Sequence, residues 1–370
     1  MEFKDHEAFK RWLEVQSREV CVAIAARAAL RVWPIVLSSR FWRGTDEARS
    51  QREGLALLTA RCSVISGVAS TYPTPEIRTA AANAAALAAF AATNETNAVT
   101  NASAAAAAFA ALNATRAVTN AASAANKTFD AARGTTEPFN VDGMEAIYTD
   151  AGLAPASMLS TSLWHEAGWP EGLSPDDIGP TLLDTDPRFD FFKRWYEGMV
   201  RGAPLDWELQ RRVALIPQEV WEAGADAVAG AIAEIEARLE VQKAAAALLA
   251  DREAALVQNR LGIGGNSPPE PIEVPAEVVA SQTIIWAAVE EIAEEAEAET
   301  PDKARVARAL EALAQGLGVC IKWLGRKADL VVDTAIKWSI PAAGTALIVA
   351  NPAKVQTLIQ TVQTWLSLLP

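Results

Sequence analysis

The chain has 370 residues, 51% of them hydrophobic and 21% charged, so it can bury a sizeable core and is not a disordered protein. Its formal net charge of −13 argues against nucleic acid as the main partner, because phosphate recognition needs clustered Lys and Arg. The three cysteines, Cys21, Cys62 and Cys320, are odd in number and far apart, which predicts reduced, buried thiols and not a disulfide framework.

The first residues, "MEFKDHEAFKRW", carry acids and no early apolar run, which predicts no signal peptide and a cytoplasmic chain. Residues 20–37, "VCVAIAARAALRVWPIVL", are apolar enough to raise a membrane question. Arg27 and Arg31 lie inside that run, four apart and so on one helix face. A charge near the bilayer centre costs about 2.5–3.5 kcal/mol on insertion scales. A helix packed into a protein core is therefore expected, kinked or ended by Pro34.

After the breaker "TYPTP" (71–75) comes an alanine-dominated segment, 76–133, whose only ionisable residues between Arg78 and Arg133 are Glu95, Arg116, Lys127 and Asp130. It contains a near-duplication: "AAFAATNETNAVTNA" (88–102) returns as "AAFAALNATRAVTNA" (107–121), an offset of 19 residues. On a straight helix that offset turns the repeated face by about 100°, so the repeat keeps no single stripe in register. A segmental duplication within a long helix or helical hairpin is expected. Its small side chains should pack closely against helices of the same chain or of another copy. The sequons at Asn94, Asn101, Asn113 and Asn126 read as an accident of Asn- and Thr-rich composition.

Residues 134–190 are turn-rich, and helical periodicity resumes through Val228, Ile232, Ile235 and Leu239, with Glu234 and Arg238 expected to pair at i,i+4. "RLGIGGNSPPEPIEVP" (260–275) is the one stretch that looks like a phosphate loop. A P-loop needs a Lys after its last glycine, and here Asn266 and Ser267 follow Gly265. A dinucleotide fingerprint needs a helix directly after the glycines, and Pro268-Pro269 forbids it. The stretch reads as a joint, with glycines stopping one helix and prolines holding the next apart.

"LGIGGNSPPEPIE" resembles the G-I-G-H-N-N-P-P-E segment of Ala-rich alphaproteobacterial helical proteins, departing from it at Gly265 and Ser267. "FFKRWYEGMVRG" followed by "WELQRRVALIPQEVWEAG" is similar to a W-x-x-W-Y-E-x-x-L-x-G stretch in proteins of the same bacteria. The resemblance covers about a third of the chain. It implies a bacterial origin and a modular build, and it assigns no catalytic residue.

The two histidines, His6 and His165, form no cluster with metal-ligand spacing, so neither a metal nor a cofactor is expected. His165, in "LWHEAGWPEG", reads as a packed residue near aromatics. Asp176, Asp177, Asp184, Asp186 and Asp190, with Trp164, Trp169, Trp195 and Tyr196, suggest the carboxylate and aromatic chemistry of glycoside hydrolases. These acids sit beside prolines, however, where Asp caps helices and shapes turns.

The tail, 338–370, holds one charged side chain, Lys354. Ala342, Ala346 and Ala350 make a small-residue stripe. Val355, Leu358, Ile359, Val362, Trp365, Leu366 and Leu369 make an apolar face, opposite a face of Gln, Thr and Ser. Lys322, Arg326 and Lys327, with Trp323, precede it as a basic cluster suited to an anionic membrane surface. The uninterrupted apolar run, 339–350, would span about 18 Å as a helix, short of a ~30 Å hydrocarbon core.

The expected fold is all-α: an Ala-rich helical body (1–133), a Trp-rich helical module (134–261), a Gly/Pro linker (262–275), and an acidic helix with an apolar helical tail (276–370). The expected function is that of a non-enzymatic, self-associating protein, a homo-oligomer without nucleic acid. Its tail mediates assembly or docks on an anionic membrane, which would place it peripherally at the inner membrane. The contact residues would be Lys322, Trp323, Arg326, Lys327, Trp338, Leu347, Ile348, Leu358, Val362, Trp365 and Leu366. The alternatives are a membrane-permeabilising toxin-like or defence effector, and a glycan-acting enzyme using the 164–196 cluster.

Overall fold

The computed structural model describes residues 3–38, 46–93, 98–115, 118–136, 139, 143–165, 168–170, 172–260, 275–326 and 352–369. Among these the chain is all-α, and the one β feature is an isolated antiparallel bridge between Ser38 and Thr181. Two compact units form, Met1–Ile232 and Ala233–Pro370.

In the first unit the helices are α1 (His6–Leu13), α2 (Arg18–Leu37), α3 (Asp46–Thr71), α4 (Pro75–Thr93), α5 (Ala98–Thr115) and α6 (Val118–Arg133). Short turns follow, α7 (Met144–Asp150), α8 (Pro155–Met158), α9 (Pro175–Ile178) and α10 (Leu182–Thr185), and then α11 (Asp190–Arg201), α12 (Trp207–Ala214) and α13 (Gln218–Glu222). The long α14 (Ala225–Arg260) starts in this unit and ends in the other.

Helix α2 is the axis of the unit. Every residue from Val20 to Leu37 is buried, against α3, α5 and α6. Both α2 and the stretch Arg52–Thr71 are long and apolar enough to cross a membrane, and α2 is wholly enclosed by its neighbours. The alanines of α5 make that possible, since they let a helix with bulky Val, Ile and Leu approach closely. Polar groups bridge the contact: the Ser103 hydroxyl donates to the Val32 carbonyl at 2.7 Å, and the Asn113 amide donates to that of Cys21 at 3.0 Å. Asn113, one of the sequon residues, is thus sealed inside the bundle.

Two expectations, each stated with two alternatives, lose one of them here. Pro34 does not end α2, which runs one more turn to Leu37 before Ser38 turns extended and its N–H bonds the Pro34 carbonyl. Proline forfeits only its own bond, to the residue four before it, and the N–H groups that follow still bond, as that of Ser38 does to the Pro34 carbonyl. Nor does the alanine segment form one long helix. Each copy of the duplicated sequence straddles a break, the first between α4 and α5 and the second between α5 and α6. The repeat therefore encodes successive corners of a helical stack.

In the second unit the end of α14 packs with α15 (Ala276–Glu297), α16 (Lys303–Arg326) and α17 (Pro352–Leu368) around one apolar core. Helices α15 and α16 pair closely at Gly316, where a Cβ would lie 2.7 Å from Ile285 Cγ1. Glu234 and Arg238 serve as anchors here: Glu234 accepts the Trp365 indole N–H at 2.9 Å, and Arg238 donates to the carbonyls of Ala296 and Ala298. Of the linker 262–275, only Pro275 lies within the described residues, as the N-cap of α15.

Candidate functional site

The two arginines of α2 turn one face of that helix into a receptor for the 146–163 segment. Arg31 grips Asp150 with two nitrogens at 2.7 and 3.1 Å and donates to the Leu163 carbonyl at 2.6 Å. Arg27 reaches the same carboxylate at 2.9 Å, and the carbonyls of Met158, Thr161 and Ser162 at 2.5, 2.8 and 2.8 Å. His165 closes the group, its Nε2 lying 2.8 Å from Asp150 Oδ1. Its backbone is left-handed, with φ +54°, and the side chain is 15% exposed.

This arrangement fixes the charge state of Asp150. Burial by itself would push the Asp150 carboxyl up. The Arg31 charge, the His165 bond and the Arg27 charge outweigh that and hold it well below the usual carboxylate range. A carboxylate so firmly ionised, with its lone pairs occupied, takes no proton in a reaction. The nearest hydroxyl in sequence, Ser162, donates to the Val200 carbonyl at 3.1 Å and acts as a clamp between segments.

Three of the five acids downstream, Asp177, Asp184 and Asp186, are occupied in the same way, while Asp176 and Asp190 are exposed. Asp177 accepts from the Ser174 hydroxyl at 2.6 Å in a capping box, and Asp184 accepts the Thr181 N–H and hydroxyl at 3.1 and 2.9 Å. Asp186 accepts from Arg188, whose two terminal nitrogens also fork onto Glu53 at 2.7 and 3.0 Å, one of them reaching Asp226 at 3.1 Å. Burial works against ionisation at Asp184, but bonds from Thr181 and Lys193 hold its pKa down. The Arg188 bonds do the same for Asp186. A glycosidase acid needs a pKa shifted the other way. Of the aromatics, Trp164, Trp195 and Tyr196 are buried and Trp169 is partly exposed; Trp195 and Trp33 meet edge-on at 5.6 Å, and the Trp195 N–H donates to Gln210 at 2.8 Å.

Among the predicted contact residues, Leu358, Val362 and Trp365 lie on the inward face of α17, buried in the second unit with Leu366 packed against them. Trp323 is buried in the same core, while Lys322 is exposed. Of Arg326 only the backbone, at the end of α16, is described. Lys327, Trp338, Leu347 and Ile348 lie outside the described residues, as does the stripe Ala342, Ala346 and Ala350. The structure thus brings Trp323, Leu358, Val362 and Trp365 together, in an interior and not on a surface.

What the sequence reading missed lies on α15 and α16. Val279, Ala280, Thr283, Ile284 and Ala287 form an exposed strip without charge, in which Val279 is 41% and Ile284 49% exposed. Gly316 stands opposite Ser281 and Ile285, so the antiparallel pairing brings Ile321, 46% exposed, level with the start of α15. A signal was available: "VVASQTIIWAAV" places apolar residues on two sides of the helix, one more than a single core needs.

Among the described residues no group of three or more His, Cys, Asp or Glu could hold a metal ion. The chain matches no protein-family model, no curated protein and no solved structure.

Proposed function

We propose that this chain is a non-enzymatic helical protein that self-associates through its C-terminal unit. The observation that carries the reading is the uncharged strip of α15, with Ile284 half exposed at its centre. Its first fourteen residues hold one charge, Glu277, in a chain of net charge −13. Two such acidic copies repel over most of their surface, and an apolar, charge-free strip is where they approach at least cost. Ile321, on α16, extends the apolar surface.

A non-catalytic role is supported by the commitments of the reactive groups. His165 and Asp150 are locked into the arginine cluster, and Asp177, Asp184 and Asp186 cap or anchor turns. Of the tail residues that membrane docking or permeabilisation would use, Leu358, Val362 and Trp365 are spent on the protein's own core, and Trp338, Leu347 and Ile348 lie outside the described residues. Assembly through α15 leaves that core intact. Sedimentation velocity of the full chain beside its Ile284→Glu variant tests this, with liposome co-sedimentation as the arm that separates lipid docking from self-association.

A further inference from the structure

A different surface of the chain carries its own inference. In the first unit a cleft of about 320 Å³ opens between the last turn of α2, the capped turns α9 and α10, and one face of α11. That volume is at the lower end of small-molecule sites, which run from roughly 300 to 1,000 Å³. Leu37, Ile178, Leu183 and Val200 make part of its lining aliphatic, and Trp169 adds an aromatic ring. Trp169 is braced from behind: its ring lies 5.2 Å from that of Trp164, which in turn sits 5.6 Å from the Arg31 guanidinium. Arg31 is fixed by Asp150, so the buried arginine cluster serves as a rigid mount for the aromatic ring.

The charged lining groups are balanced among themselves. Lys193 lies 3.1 Å from Asp184, and Arg201 lies 3.7 Å from Glu197. Two cations therefore face two anions, so the lining offers an entering ion no excess of opposite charge. A neutral guest needs none. We infer that the cleft binds a neutral aromatic molecule of one or two rings, stacked on Trp169 and against the aliphatic lining. An offset-stacked ring gains about 0.5–1.5 kcal/mol beyond the area it buries, which a purely aliphatic guest does not.

The probe is indole, titrated into the full chain and followed by ligand-observed NMR, with indole-3-acetate and tryptamine as charged counterparts. Saturable indole binding is expected, weakened at least tenfold by Trp169→Ala and by Val200→Trp, which fills the cleft. Each charged analogue should bind at least tenfold more weakly than indole. Trp169 is partly exposed, so its truncation leaves the core in place, and matched far-UV circular dichroism checks both variants. No saturable binding, binding that survives both variants, or equal affinity for a charged analogue would each overturn the inference. Ile284→Glu should leave indole binding unchanged, which keeps this result separate from that on self-association.

Discussion

Arg31 and Asp150 meet through two hydrogen bonds of 2.7 and 3.1 Å, between fully buried side chains 119 residues apart in the chain. The pair ties the central helix α2 to the segment that carries Trp164 and, beyond it, Trp169. A buried ion pair adds little net stability over an apolar pair, but removing one partner strands the other charge. Asp150→Ala would strand two guanidinium groups, those of Arg27 and Arg31. It is expected to cost about 3–5 kcal/mol in urea unfolding of the full chain. A loss below about 1 kcal/mol would mean that the cluster does not hold α2 to the 146–163 segment.

The same cluster sets a pH dependence. Asp150 titrates well below its ordinary value of 3.8, and Glu208, against Arg211 and Arg212, is brought down to about 2. Both are depressed in the folded state, so the stability they contribute is present above their unfolded values. It is lost as pH falls through about 4 towards 2. Glu208 is partly exposed and screened, so Asp150 should dominate. Urea midpoints measured at pH 6, 4.5, 3 and 2 should stay level across the first two and fall across the last two. A midpoint that rises on acidification would contradict the assignment.

The thiols are expected to be silent in the folded protein. Burial pushes Cys21 up to about 11 and Cys62 to about 12, and it also raises Cys320. Since the thiolate is the reactive form, iodoacetamide at pH 8 should label these cysteines only after denaturant opens the fold. Rapid native labelling of Cys62, read by mass spectrometry of peptides, would place that side chain outside the core.

Trp365 is wholly buried, and its N–H is spent on Glu234. Trp365→Ala should therefore destabilise the second unit by about 3–5 kcal/mol, as truncation of a buried aromatic does. Urea unfolding of the full chain measures it. An unchanged transition would mean that α17 does not pack as described, and would return its apolar face to the candidates for docking.

Much of this fold was legible in local chemistry. Ser17, Ser174 and Asp206 sit where helix N-caps are favoured, and the alanine-rich segments do form helices. The spacing of Arg27 and Arg31 did point to one buried face. What stayed hidden was long-range. Nothing local marks Asp150, a lone acid in "AIYTDAGL", as the partner of Arg31, 119 positions earlier. The α17 face resembled a docking surface because the far side of that helix lacks charge. Its true neighbours on α14, α15 and α16 could not be inferred from periodicity alone. The outward strip of α15 was overlooked because Val279 and Ile284 stand beside the core residues Val278 and Ile285, and the two apolar faces merge in the sequence.

The central claim is that copies of this chain meet through α15. Sedimentation velocity of the full chain across a hundredfold concentration range tests it most directly, alone and with Ile284→Glu. The account predicts reversible association in the native chain, weakened at least tenfold by the substitution, or about 1.4 kcal/mol. The secondary structure should be unchanged, because the side chain is already half exposed. A monomer at every concentration, or an oligomer indifferent to Ile284→Glu, would contradict it.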